Sequence, residues 1–147
     1  MPSAENQVGR LSLGQTATLL GDCAAMIGND TGITHLASLV VRKCLVILGG
    51  GTFRRFFPWP TADNQTIVYH GLDCFDCEWT CKFSERYCLS LVRPRDVLSA
   101  FEAMMSASQP VQQEINLNST VEFYDLAWRH LSPKQQAPFH PLSRTAV

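Results

Sequence analysis

The sequence predicts an α/β fold, a partial Rossmann-like parallel sheet with flanking helices. Three short apolar runs of strand length occur along the first half of the chain: Ala24–Ile27, Cys44–Leu48 and Thr66–Tyr69. A run of helical periodicity, from about Thr31 to Val41, joins the first two. Apolar strands that are connected through helices are typical of parallel sheets buried on both faces.

Two further helices are expected around these strands. Ser12 followed by Gln15 has the form of a capping box, so a helix should begin there and end near Gly21. Pro94 suits the first turn of another helix, which carries apolar residues on one face. The segment Gln109–Asn118 is polar and contains a proline, which indicates a linker before a last helix and an extended tail.

Composition narrows the class of protein. The 147 residues carry a formal net charge of −1, which argues against a nucleic-acid partner bound through bulk electrostatics. No apolar run approaches membrane-spanning length, and the N-terminus lacks the features of a signal peptide. We therefore expect a cytoplasmic protein with at most peripheral membrane association. Its six cysteines should be reduced in that compartment.

The turn between the first strand and its helix is the candidate binding site. Gly28 and Gly32 permit tight backbone and close approach of a ligand, and Asp30 or Thr31 can cap the helix. The first amides of a helix have no intrahelical acceptor and favour an anion such as phosphate. The alternative is an ordinary cap and turn, in which His35 is a packing residue rather than a ligand contact.

The loop Gly49–Pro60 follows the second strand at the same edge of the predicted sheet. Its three glycines give the backbone freedom, and Arg54 and Arg55 can bind a phosphate or an acidic acceptor. The alternative is that both arginines are solvated loop charges. The aromatic residues of the loop should anchor it to the core: Phe53, Phe56, Phe57 and Trp59.

A cysteine cluster lies between residues 74 and 88. Cys74, Cys77, Cys81 and Cys88 have the spacing C-x2-C-x3-C-x6-C, and four thiolates can hold a structural Zn²⁺. The usual zinc ribbon instead separates two close pairs by a longer stretch. A redox-sensitive cluster and packed, reduced thiols are the competing interpretations.

Four stretches of the chain resemble glycosyltransferase family 9, which includes the lipopolysaccharide heptosyltransferases. Asn29–Ala37 resembles the signature of that family. The other three occur in the family's order: Gly9–Ser12, in which Arg10 replaces the commoner lysine, Gly49–Pro58, and the cysteine cluster, which some members have.

The resemblance implies the C-terminal half of the donor domain of a GT-B enzyme. Such enzymes have two Rossmann-like domains, and the N-terminal one supplies the acceptor site and a carboxylate base. Transfer from the nucleotide-sugar inverts the anomeric centre without a metal, in agreement with the absence of any Asp-x-Asp from this chain. An ADP-heptose-like donor and a glycan acceptor are the implied substrates. The implied donor-binding residues are Asn29, Asp30, Thr31, Gly32 and His35, and the phosphate or acceptor contacts are Arg10, Arg54 and Arg55.

On this basis we expect residues 1–108 to form a partial nucleotide-sugar-binding, Rossmann-like domain that includes the cysteine cluster at 74–88, and residues 109–147 to form the linker, terminal helix and tail. The chain lacks the stretches that the family places in its acceptor domain, so we expect no catalysis by the chain alone. Its first strand should leave a sheet edge uncovered, which favours self-association. The alternative function is a non-enzymatic interaction module built on zinc bound by the cysteines.

Overall fold

The computed structural model of the protein describes residues 4–59, 62–110 and 112–117. These form a four-stranded sheet of order β1-β2-β3-β4, in which each strand is parallel to the next. The α/β, Rossmann-like arrangement predicted from the sequence is therefore confirmed. The strands are β1 Met26–Asn29, β2 Cys44–Leu48, β3 Gln65–Tyr69 and β4 Gln113–Asn116.

Four helices accompany the described sheet. In the first, the Ser12 side chain accepts a hydrogen bond from the Gln15 backbone N–H, and the Gln15 side chain accepts one from Ser12. The predicted capping box is thus present, and the helix ends at Gly21 as expected. The helices are α1 Leu13–Gly21, α2 Gly32–Val40, α3 Tyr87–Ser90 and α4 Pro94–Ser106.

The two faces of the sheet build two cores because successive side chains of β2 and β3 point to opposite sides. One face packs against α2 and the loop after β2, and α1 packs on the outside of α2. The other face packs against α4. Fully buried side chains of the first core include Ala37, Val46, Phe57 and Ile67, and those of the second include Leu45 and Val68.

Three details differ from the sequence interpretation. The first strand begins at Met26 rather than Ala24, and it is only half-buried because it lies at an edge of the described sheet. The segment interpreted as a linker contains β4, which pairs with β3. Polar residues concealed that strand, since Gln113 and Glu114 give no apolar run. The predicted terminal helix and tail lie outside the described residues.

The topology brings three loops to one edge of the sheet. Because the strands are parallel, the segments that follow β1, β2 and β3 all leave from the carboxyl edge, where open α/β sheets bind ligands.

In the part of the chain that the structure describes, no helix is long and apolar enough to cross a bilayer.

Candidate functional site

The start of α2 has no side-chain cap. Thr31 is its N-cap residue, with extended backbone at φ −145° and ψ 162°, but no side chain of a described residue accepts from the first helical amides. The expectation that Asp30 or Thr31 would cap the helix is therefore wrong. The Thr31 hydroxyl lies 3.2 Å from that of Thr34 instead. The positive end of the helix dipole is left for a ligand.

The two glycines of the turn have different roles. A Cβ on Gly28 would overlap the Thr34 hydroxyl oxygen, so this glycine makes room for a neighbouring side chain and not for a ligand. A Cβ on Gly32 would meet nothing within 4 Å. Only Gly32 therefore presents open backbone at the helix start, and neither glycine has positive φ.

A hydrogen-bonded chain links the turn to the loop after β2. The Trp59 indole N–H donates to Nδ1 of His35 at 3.0 Å, and Nε2 of His35 lies 3.3 Å from a carboxylate oxygen of Asp30. An Nδ1 that accepts a hydrogen bond leaves the ring proton of a neutral imidazole on Nε2. His35 consequently donates to Asp30 and fixes the orientation of that carboxylate in the turn between β1 and α2.

The imidazole is also held by aromatic rings. Phe57 is fully buried and stacks on His35, with ring centroids 4.1 Å apart and an interplanar angle of 7°. Phe56 approaches the same ring edge-on but is 52 % exposed, so its predicted role as a core anchor is wrong. His35 is therefore a hydrogen-bonded packing residue, and its contact with a ligand stays a prediction.

The sequence did not identify Trp59 and Phe57 as parts of this site. It indicated them only as anchors of the loop. Trp59 lies 24 residues from His35 in the chain, and no local pattern couples positions so far apart. The aromatic cluster in the sequence is the one available signal, because buried indole N–H groups generally need an acceptor.

The three glycines after β2 make room for side chains of the cysteine-bearing loop. A Cβ on Gly50 would meet the Phe75 ring, and a Cβ on Gly49 or Gly51 would meet the Trp79 indole. Asp76 donates its backbone N–H to Gly50 at 2.7 Å. The expectation that these glycines give free backbone beside the site is thus wrong, because the neighbouring loop covers them.

The candidate arginines are already paired with carboxylates. Arg54 donates to Glu114 of β4 at 2.6 Å, a contact that raises the pKa of its guanidinium. Arg55 donates to Glu78 at 3.2 Å. Arg10 is exposed in the turn before α1. The contacts of all three arginines with a phosphate or acceptor remain predictions.

Two thiols of the cluster, Cys74 and Cys88, have a raised pKa. Burial raises the pKa of Cys74, Lys82 lowers it, and the other three thiols of the cluster raise it again. Burial also raises the pKa of Cys88, against a hydrogen bond from Gly50. Both thiols are therefore protonated at neutral pH.

The same thiols are not arranged as a metal centre. Among the residues that the structure describes, which include all four, no three His, Cys, Asp or Glu side chains are placed to hold a metal ion. Cys77 and Cys81 are partly exposed, and all four are free of disulfides. Structural zinc stays a prediction.

Comparison with protein families identifies the chain. The model of glycosyltransferase family 9 (heptosyltransferase) matches residues 3–86, more than half of the protein. The chain belongs to glycosyltransferase family 9. The matched region runs from before α1 into the cysteine cluster and ends before Cys88, so it contains the α2 turn and every residue of the His35 hydrogen-bonded chain.

The chain is similar in sequence to two heptosyltransferases. It is 35 % identical over 63 residues to the lipooligosaccharide heptosyltransferase 2 of Haemophilus influenzae, covering 43 % of this chain and 18 % of that protein. It is 26 % identical over 83 residues to the lipooligosaccharide heptosyltransferase 2 of Campylobacter jejuni, covering 56 % and 26 %. The chain therefore matches only about a fifth to a quarter of each relative's length. No solved structure matches it significantly.

Proposed function

We propose that this family 9 chain binds a nucleoside-diphosphate sugar, of the ADP-heptose type, at the start of α2. The uncapped helix start beside the open backbone of Gly32 carries the proposal. Helix N-termini bind phosphate through unpaired amides and the helix dipole. The diphosphate lies against the amides near Thr31 and Gly32, and the sugar extends towards Asp30.

Each residue of the turn then has a distinct task. The helix start stabilises the negative charge that develops on the departing nucleoside diphosphate, which is how a transferase can work without a metal ion. Asp30 would repel a phosphate, so its carboxylate accepts hydrogen bonds from sugar hydroxyls. His35 and Trp59 hold that carboxylate in position. Asn29, the last residue of β1, is exposed beside it.

The reaction in which this site takes part is transfer to a glycan acceptor during synthesis of lipopolysaccharide or a related glycan, with inversion at the anomeric carbon, in the cytoplasm. The names of the two heptosyltransferase relatives support the transfer of a sugar in lipooligosaccharide synthesis, and the family resemblance implies the inversion and the cytoplasmic location. The acceptor site and catalytic base belong to parts of the family architecture that this chain does not match. The 147-residue chain alone should bind the donor and transfer no sugar.

Gly32→Ala tests the donor site. Because a Cβ at Gly32 meets nothing, the substitution should leave the melting temperature unchanged or slightly higher. The added methyl group would stand where the phosphate approaches, so calorimetric titration with ADP should show at least about tenfold weaker binding. Gly14→Ala is the matched control, since Gly14 lies in the first turn of α1 and is equally open.

ADP binding that is equal in the wild type and Gly32→Ala would place the nucleotide elsewhere. In an enzyme that includes the acceptor domain, Asp30→Ala should reduce turnover far more than it reduces stability. Unchanged turnover in that variant would remove Asp30 from the site.

The second candidate function is the zinc-binding interaction module. What favours it is the close C-x2-C-x3-C-x6-C spacing of the four thiols within fifteen residues. It requires about one equivalent of zinc per chain and a lower melting temperature after chelation. Protein purified under reducing conditions that contains no zinc would reject it. Zinc without any ADP binding would favour it over the transferase assignment.

A further inference from the structure

A cleft of about 770 Å³ opens beside the cysteine cluster, separate from the α2 turn. Its walls combine two aromatic rings with charged and hydroxyl side chains. That volume is in the range of small-ligand sites. The principal lining residues are Trp79, Phe83, Ser84, Glu85, Arg86 and Ser90.

Trp79 is held rigidly in the cleft wall. Its indole packs against the backbone of Gly49 and Gly51, and the side chain as a whole is 45 % exposed. The backbone N–H of Glu78 donates to Gly51 at 2.9 Å, and the Glu78 carboxylate pairs with Arg55. Because these contacts fix the position of the exposed indole, it loses little freedom when a ligand binds, and it is pre-organised for one.

The backbone that presents this indole is strained. Asp76, Glu78 and Trp79 have φ values of 64°, 48° and 64°, in the left-handed region that bulky residues rarely adopt. Such conformations persist only where the surroundings enforce them, and they concentrate at ligand sites. The glycine contacts enforce the conformation here, and the result is an aromatic platform beside polar groups.

The chemistry of the walls favours a sugar. One face of a pyranose ring is lined by C–H groups and packs on an indole, while its hydroxyls need both donors and acceptors. Arg86 donates, Glu85 accepts, and Ser84 and Ser90 do both. A polyanion would meet Glu85, and a purely apolar ligand would leave these groups unpaired.

We infer that the Trp79 cleft binds a saccharide unit of the glycan acceptor. This inference rests on the proposed function. The loops that form the cleft wall follow β2 and β3, so they leave the same carboxyl edge of the sheet as the α2 turn. The reacting end of the acceptor still belongs to the site that the family places in its other domain, and the cleft adds affinity by holding a further saccharide unit of the same glycan.

The test is calorimetric titration of the full 147-residue chain with two probes, ADP and the delipidated core oligosaccharide of a lipooligosaccharide. Arg86→Ser removes an exposed cation, and Trp79→Gly removes the indole at a position whose φ suits glycine. Each variant should bind the oligosaccharide at least about tenfold more weakly, with ADP affinity unchanged. Arg95→Ser, which removes an exposed arginine of α4, is the matched control and should bind both probes as the wild type does.

The outcomes separate the two proposals. ADP binding without oligosaccharide binding, or equal oligosaccharide binding by the wild type and Arg86→Ser, overturns the inference and leaves the proposed function intact. Oligosaccharide binding that depends on Arg86 and Trp79, in a chain that does not bind ADP, supports the cleft and overturns the donor site.

Discussion

At the residue scale, the geometry of the candidate site depends on a histidine whose two nitrogens have different partners. Trp59 occupies Nδ1 and Asp30 lies at Nε2, while Phe57 fixes the plane of the ring. The position of the Asp30 carboxylate is thus determined by two residues of another loop. Residues that orient a functional group commonly matter as much as the group itself.

Trp59→Phe tests this arrangement because it keeps an aromatic ring and removes the N–H donor. We expect the Nδ1 resonance of His35 to shift because that nitrogen loses its hydrogen-bond donor, while Asp30 keeps the ring proton on Nε2; imidazole ¹⁵N chemical shifts measure this. Binding of a nucleotide-sugar should weaken in parallel. Trp79→Phe makes the same chemical change in the other loop and should leave the His35 signals unchanged. Unaltered His35 shifts in Trp59→Phe would contradict the assigned chain.

The thiol of Cys44 should make the stability of the protein depend on pH. It is fully buried in β2, and burial raises the pKa of its thiol to about 11 from 9.0. Below pH 9 the thiol is protonated in both the folded and the unfolded chain. Between pH 9 and 11 the unfolded chain loses this proton and the folded one keeps it, so the free energy of unfolding falls.

The expected loss attributable to Cys44 is about 2–3 kcal/mol across that interval. It should appear as a steeper decline in urea midpoint for the wild type than for Cys44→Val, which has a side chain of similar size and no titrating group. Parallel declines in the two proteins would show that Cys44 titrates normally.

At the element scale, α4 is fastened to the sheet by a side chain from outside the helix. Lys43 precedes β2, and its ammonium donates to the carbonyls of Met104, Met105 and Ala107 at 2.8–3.0 Å. These are carbonyls at the C-terminal end of the helix, where the dipole is negative. One lysine therefore provides the hydrogen-bond donors for the last carbonyls of the helix and connects the helix to β2.

Lys43→Met should lower the free energy of unfolding by about 1–2 kcal/mol, because three carbonyls lose a charged donor. Chemical denaturation measures this. Arg42→Met removes the adjacent cation, which is exposed, and should change stability by no more than about 0.5 kcal/mol. If the two substitutions lowered the free energy of unfolding equally, the cause would be the loss of one positive charge and not the loss of the hydrogen bonds to α4.

At the scale of the whole molecule, β1 forms one edge of the described sheet. Its only partner there is β2, and the Ile27 side chain is 47 % exposed. Other apolar side chains are exposed on the flanking helices, including Leu13 of α1 and Leu39 of α2. An uncovered strand edge beside apolar surface favours association with another chain.

We therefore expect the 147-residue chain to self-associate, with a molar mass by light scattering that rises with concentration. Ile27→Lys should shift the distribution towards monomer, since a charge on an edge strand opposes pairing. Leu98→Lys places the same charge at an exposed position of α4 and should have no such effect. A wild-type chain that is monomeric at every concentration would disprove the prediction.

Much of the fold followed from patterns that act over a few residues. The runs at 44–48 and 66–69, the Ser12–Gln15 capping box and the helix after Pro94 all lie where the sequence predicted them, within a residue or two. Side-chain periodicity and capping hydrogen bonds are local, so they can be recognised without knowledge of the rest of the chain. The composition of the α2 turn and its family resemblance were recognised in the same way.

The sequence by itself therefore determined the sheet class, the family and the segment that carries the candidate site. Only the tertiary structure decided that Trp59 reaches His35, that Arg54 pairs with Glu114 sixty residues away, and that Gly49–Gly51 accommodate aromatic rings. It also showed that polar β4 is a strand, because β3 supplies its hydrogen-bond partners. These contacts join positions far apart in the chain. No local propensity encodes them, and they exist only once the loops converge on the carboxyl edge of the sheet.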